Sequence, residues 1–395
     1  MTLRRPIGIG LVGCGNISVG RHIPAYLAMP ELARVVAVAD PSPERRELAG
    51  TMLGLDADAM LDDALALVDR PDVDVVDVCT PPHIRLPVIA GAIERDRPVL
   101  CEKPIATNPR EAAELAELSE AGGVPIGVIH NYRFLPEIVR ARQIIERGEI
   151  GEPEVAILQF LGVEDRPGAA AYRPDWRHRS AVGGGGVLMD MIHVVYVAEL
   201  LLGRPIERVS GHVDAREEGA AVEGLALARF ETDAGVALVD VGWGVGPGGI
   251  AVSGPLGRIE IRNQDGATTP FRPPETLEVV LGDGTRRIER FEPDPTEPVP
   301  AVYVTATIRE LLEAFEVGRP PAVTAADAAH VLEVAMAVYE SAGTGRTVGL
   351  PLDRADPVFQ DGIAGLEALD LPPWSPVVRR RLFGIGTTRS GSEGA

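Results

Sequence analysis

Lys103 is the only lysine in a chain of 395 residues that carries 38 basic Lys and Arg side chains. Lysine is ordinarily among the commonest residues. A guanidinium cannot give up its proton in a protein, whereas an ammonium can once burial or a neighbouring charge lowers its pKa. A site that must take and return a proton near neutral pH can therefore use lysine and cannot use arginine. The competing role for Lys103 is simple pairing with its neighbour Glu102. Asp190 and His193 are the next candidates. They interrupt an apolar stretch, 187–202, in which Tyr196 and Glu199 are the other polar residues. A carboxylate there is costly unless it is paired or working. The stretch 187–202 is expected to be a helix, and residues three apart on it share a face. Asp190 and His193 would then act either as a catalytic pair or as a hydrogen-bonded brace.

These residues must be positioned by regular elements, and the first 130 residues supply a readable set. A short apolar run, 7–12, ends in Gly13-Cys14-Gly15-Asn16-Ile17-Ser18. The order is strand, glycine turn, helix, with the spacing G-x-G-x-x-S. The two glycines allow a tight turn and close backbone approach to a pyrophosphate, and the helix start offers N–H groups. Gly13, Gly15, Asn16 and Ile17 are thus expected to bind a dinucleotide. A second apolar run, 34–39, ends at Asp40, the position expected for an acid that holds an adenosine ribose. A carboxylate there repels a 2′-phosphate, which favours NAD over NADP, although Arg45 and Arg46 lie close by.

Strand and helix patterns then alternate. Helices are expected at 44–52, 62–68 and 109–121, and strands at 73–79, 98–101 and 124–129. Alternation of this kind implies a parallel, doubly wound α/β Rossmann sheet, whose ligands bind beyond the carboxyl ends of the strands. Gly13, Asp40, Thr80 and Lys103 all fall at such ends. From 151 onward the pattern changes to strands (155–161, 207–213, 223–231, 236–242, 258–262, 277–281 and 286–291) separated by glycine, aspartate and proline turns. This predicts an α+β domain with a large, mostly antiparallel open sheet. A homo-oligomer through the sheet, a homodimer or homotetramer, is one way to cover its apolar faces. Domains are expected at 1–128 and 129–350, with a C-terminal extension at 351–395 that wraps a neighbour, borders the cleft or forms a surface tail.

Apolar residues make up 45% of the chain and the formal charge is −20. That balance argues against nucleic acid or an anionic membrane as partner. The first residues run straight into a strand with no signal-peptide pattern, and no 18-residue apolar run occurs. Cys14, Cys79 and Cys101 are read as reduced, packed thiols, which points to a cytoplasmic protein. His22, His130, His178, His212 and His330 lack metal-ligand spacing, and no metal site is expected. His83 follows the strand-end residues Thr80, Pro81 and Pro82, which puts it near the cofactor.

In combination, the glycine turn, Arg21-His22-Ile23-Pro24-Ala25, Thr80-Pro81-Pro82, Glu102-Lys103-Pro104, Asn131-Tyr132-Arg133-Phe134, Trp176-Arg177 and Gly184 to Asp190 resemble the Gfo/Idh/MocA oxidoreductases. The resemblance covers roughly residues 5–350. It implies hydride exchange between a nicotinamide and a carbinol carbon of a sugar, polyol or cyclitol. It also implies a proton-transferring lysine, Lys103, with Asp190 and His193 from the second domain. Trp176, Arg177 and Glu102 would sit at the cofactor, and Asn131, Tyr132 and Arg133 at the substrate. Two departures stand out: one residue fewer separates Asp190 from His193, and Arg85 occupies a position where the family commonly has histidine. Three other readings compete. One is a glycoside-modifying enzyme that oxidises transiently, another a non-catalytic dinucleotide-binding sensor, and the third a Schiff-base lysine enzyme.

Overall fold

The computed structural model describes residues 3–164, 174–244, 246–263, 275–291 and 302–385. The first sheet has six parallel strands: β1 Ile7–Val12, β2 Ala33–Ala39, β3 Met60–Leu61, β4 Val75–Val78, β5 Val99–Cys101 and β6 Ile126–Val128. Their order is β3-β2-β1-β4-β5-β6. β1 is buried along its whole length, as expected of a strand covered on both faces. The order reverses between β1 and β4, and that switch point opens a crevice at the carboxyl ends. The helix Pro109–Gly122 starts where Asn108 accepts the backbone N–H of Glu111 at 2.9 Å.

Among the described residues, nine strands form the second sheet: β7 Val155–Val163, β8 Arg208–Asp214, β9 Leu225–Glu231, β10 Val236–Trp243, β11 Gly248–Gly254, β12 Gly257–Asn263, β13 Glu275–Leu281, β14 Arg286–Phe291 and β15 Val348–Gly349. The order is β14-β13-β12-β11-β7-β10-β9-β8-β15. Its pairs are antiparallel except for β7 with β10. β11 and β15 are additions to the expected set. The sequence of β11, Gly-Gly-Ile-Ala-Val-Ser-Gly, carries three glycines, and glycine weakens any strand signal. The inner face packs on the helices His193–Leu202 and Ala325–Thr344, both rich in buried side chains. The outer face exposes Val155, Ile157, Leu227 and Leu238.

Two expectations need correction. The stretch 187–202 is not one helix. It breaks at Met191-Ile192 into Val187–Asp190 and His193–Leu202, and the helical segments on either side are bent by 41°. Asp190 and His193 therefore do not share a helix face, because the shortened spacing falls on a kink. The division at 128 also does not follow the packing. In the helix Val302–Val317, Val304, Ile308, Leu311, Leu312 and Phe315 share a core with Ile9 and Leu11 of β1. The chain thus returns to the first sheet after building the second. Among the described residues, no single helix is long and apolar enough to cross a membrane.

Candidate active site

Ile17, of the glycine turn, lines the cleft, while Gly13, Gly15, Asn16 and Asp40 lie outside its lining. Gly13 has φ +92°, and a Cβ there would press on the Cys79–Thr80 backbone at 3.0–3.1 Å. Ser18, at the third motif position, is buried and donates its hydroxyl back to the Gly13 carbonyl, which closes the turn. Asp40, half-buried at the end of β2, accepts from the backbone N–H groups of Cys14 (2.7 Å) and Ser42 (2.9 Å). An ionised carboxylate offers about four acceptor sites, so capacity for ribose hydroxyls is left over. Arg45 and Arg46 turn to backbone instead: Arg45 Nε donates to Cys14 O at 2.7 Å and Arg46 to Asp40 O at 2.5 Å.

Ile17, Thr80, Glu102, Lys103, Arg177 and Asp190 line the cleft, as does Trp176. Lys103 Nζ donates to the backbone carbonyl of Asp190 and lies 4.0 Å from its Oδ1. The Asp190 carboxylate also accepts from Arg177 Nε at 2.9 Å and Trp243 Nε1 at 3.2 Å. Burial pulls the Lys103 ammonium below its ordinary value of 10.5, with Arg177 and Arg85 adding to the effect and Asp190 and Glu102 only partly offsetting it. Burial works against ionising Asp190, but Arg177 and Lys103 outweigh it and hold the carboxyl below its ordinary range.

A buried charge chain underlies the lysine. His22 sits between Asp77 (Nδ1 to Oδ2, 2.7 Å) and Glu102 (Nε2 to Oε1, 3.1 Å), and the other Glu102 oxygen accepts the Lys103 backbone N–H at 3.0 Å. Tyr26 donates to Asp77 at 2.8 Å. Burial opposes a charge on His22, yet Asp77 and Cys79 keep its pKa well above the ordinary 6.5. His22, Asp77 and Cys79 have ligand-capable atoms within 4.8 Å of one another, a grouping that residue spacing did not reveal. The His22–Asp77 ion pair, with the neutral Cys79 thiol in contact with both, accounts for it.

Arg85 is the other residue that sequence reasoning left without a role. It is 2% exposed. Its guanidinium donates to Thr80 O at 2.9 Å and 2.5 Å and to the carbonyls of Glu102 and Pro104 on either side of Lys103. Arginine at this position clamps the lysine loop to the end of β4. Its one sequence signal was the departure from histidine.

The remaining candidates are less central. His193 does not line the cleft. It pairs Nδ1 with the Tyr196 hydroxyl at 2.6 Å and stacks on Tyr132 with ring centroids 4.2 Å apart. Burial, with Lys103 and His130, drives its pKa well below 6.5, so it is neutral. Asn131, Tyr132 and Arg133 are half-buried on the turn after β6, outside the cleft lining. Pro81 and exposed His83 sit at the end of β4, also outside that lining. The residues present fit a polar cofactor: the buried Thr80 hydroxyl, in the cleft wall, has no hydrogen-bond partner.

Residues 7–130 match the family model described as "Oxidoreductase family, NAD-binding Rossmann fold", and residues 138–266 match the "GFO/IDH/MocA C-terminal domain". The chain is 30% identical over 207 residues to levoglucosan dehydrogenase of Pseudarthrobacter phenanthrenivorans, an alignment that spans 50% of this chain and about half (51%) of that relative. It is 30% identical over 275 residues to inositol 2-dehydrogenase 2 of Saccharopolyspora erythraea, covering 67% of this chain and 76% of the relative. The aldose–aldose oxidoreductase of Caulobacter crescentus, solved with glycerol, superposes with a TM-score of 0.75 at 24% identity, over 88% of this chain and 100% of that one. That likeness establishes the shared fold.

Proposed function

The chain belongs to the GFO/IDH/MocA oxidoreductases, with their NAD-binding Rossmann fold, and from that premise we propose that it is an NAD-dependent dehydrogenase of a sugar, polyol or cyclitol. One observation carries this reading: the single lysine lies beside Asp190 in a cleft that is also lined by Ile17 of the dinucleotide-type glycine turn. Bound NAD supplies the two-electron acceptor. Gly13, Gly15, Asn16 and Ile17 would receive the pyrophosphate and Asp40 the ribose hydroxyls. Thr80, Pro81, Glu102, Trp176 and Arg177 would border the nicotinamide end, with His83 at the rim.

In this reading Lys103, neutral at that moment, takes the hydroxyl proton as the carbinol C–H is oxidised. Asp190 keeps the amine in place and balances its charge when it is protonated. His193 acts from behind the cleft, fixing Tyr132 and Tyr196, and Asn131, Tyr132 and Arg133 present the substrate side of the β6 turn. The matched relatives are named for levoglucosan, inositol and aldoses. These are polyhydroxylated rings, so neighbouring hydroxyls are the features the site must recognise.

The test is a panel of anhydrosugars, aldoses and inositols incubated with NAD, and in parallel with NADP, while NADH absorbance is followed. Stoichiometric NADH from at least one compound is expected, with NADP the poorer partner. Product formation without NADH accumulation would move the assignment to a transient-oxidation enzyme. Tight NAD binding without turnover would move it to a sensor. Self-association through the outer sheet face is part of the proposal, supported by the exposed Val155, Ile157, Leu227 and Leu238. A monomer mass in sedimentation equilibrium would contradict it. The cytoplasm is the proposed location, supported by three buried free thiols; recovery in an extracellular fraction would oppose that.

A further inference from the structure

Glu223 is fully buried at the end of the loop between β8 and β9. Its carboxylate accepts from the backbone N–H of Gly186 (2.9 Å and 3.1 Å), from Leu188 N–H (2.9 Å) and from the Tyr339 hydroxyl (2.8 Å). Its own carbonyl takes the Val187 N–H at 3.1 Å. Glu223 therefore holds three consecutive N–H groups at the start of the short helix that ends in Asp190. The fit leaves no slack. A Cβ on Gly185 would overlap the Tyr339 hydroxyl, and one on Gly186 would overlap Glu223. The glycine run is thus built around this carboxylate, while its other side lines the cleft.

The C-terminal extension holds the grip from outside. Phe383 meets the Tyr339 ring edge-on, with centroids 5.5 Å apart, and its N–H donates to Ala221 O at 2.8 Å. Arg380 donates to Asp214 at 2.8 Å, and the Asp214 carbonyl takes the Gly224 N–H at 3.0 Å. The Gly224 carbonyl in turn takes the Trp243 N–H at 3.1 Å, and the Trp243 indole donates to Asp190. The described part of the extension, to Ile385, packs on its own chain and braces the loop that carries Glu223.

We infer that Glu223, steadied by Tyr339 and the segment 376–385, is a positioning residue that fixes Asp190 against Lys103. The inference rests on the dehydrogenase reading for its kinetic consequence, though its geometric content stands apart from it. Small displacements of a reacting constellation cost up to about 100-fold in rate.

The test compares Glu223→Ala, Glu223→Gln and Tyr339→Phe with wild type. Glu223→Ala is expected to lower kcat by about 10- to 100-fold while NADH affinity, read by nicotinamide fluorescence, stays within about threefold. The acid limb of the rate profile should move to lower pH, because the attraction of Asp190 that props up the Lys103 ammonium is weakened. Glu223→Gln, whose amide oxygen still accepts N–H groups, should recover most of the rate. Tyr339→Phe should shift the limb in the same direction with a loss of about threefold. Unchanged kcat and pH limb in folded Glu223→Ala would overturn the inference, as would an unchanged Tyr339→Phe if the alanine variant fails to fold. If wild type turns over nothing in the panel, the functional reading fails. The pH dependence of Lys103 acylation still decides the positioning claim: a downward shift in Glu223→Ala supports it and an unmoved midpoint refutes it.

Discussion

Lys103→Arg loses at least about 100-fold in turnover, the scale on which general acid–base catalysis operates. The substitution keeps the positive charge beside Asp190 and keeps donors for its carbonyl. What it removes is the ability to exist as a neutral base. Arginine serves at all the other basic positions of this chain, so a charge-only role at 103 would be met by it. The environment also favours exchange: burial lowers the pKa of the amine, and the guanidinium of Arg177 lowers it further. NAD affinity and melting temperature are expected to stay near wild type, because the glycine turn and Asp40 lie on other strands. Steady-state rates with the best substrate of the panel check this. Turnover within a few-fold of wild type would leave Lys103 as a structural cation.

Asp190→Asn lowers turnover by at least about tenfold and moves the acid limb of kcat/KM to lower pH. The side chain keeps its shape but loses the charge that balances Lys103 and Arg177. Breaking one partner of a buried ion pair is costly because the remaining charge is left uncompensated. The amide also turns a donor toward one of two donors, Arg177 Nε or Trp243 Nε1. The sign of the shift follows from Asp190 raising the pKa of the lysine: without it the amine sheds its proton more readily. Initial rates across pH would test this, and an unmoved limb would show that the 4.0 Å separation carries no coupling.

The half of the candidate site on the first sheet was legible because its sequence signals are local. A glycine turn, an acid at the next strand end and a lysine after a third each declare themselves within a few residues. The second half was not. The kink at Met191-Ile192 lies in an apolar stretch where helical periodicity looks the same on both sides of a break. Glu223 and Tyr339 meet the glycine run only after the chain has built β9 and the helix Ala325–Thr344. Nothing near them in sequence announces a partner. Arg85 likewise shows its role only when the carbonyls around Lys103 arrive from another strand. The return of Val302–Val317 to the first sheet is a packing event that composition does not encode.

The central claim is that the amine of Lys103 gives and takes a proton more readily than an ordinary lysine does. Trace acylation followed by peptide mass spectrometry can read this directly, since one lysine means one side-chain signal. The reactivity of Lys103 measured against pH is predicted to reach its midpoint below 10.5, the ordinary value. A midpoint at or above that value would contradict the account.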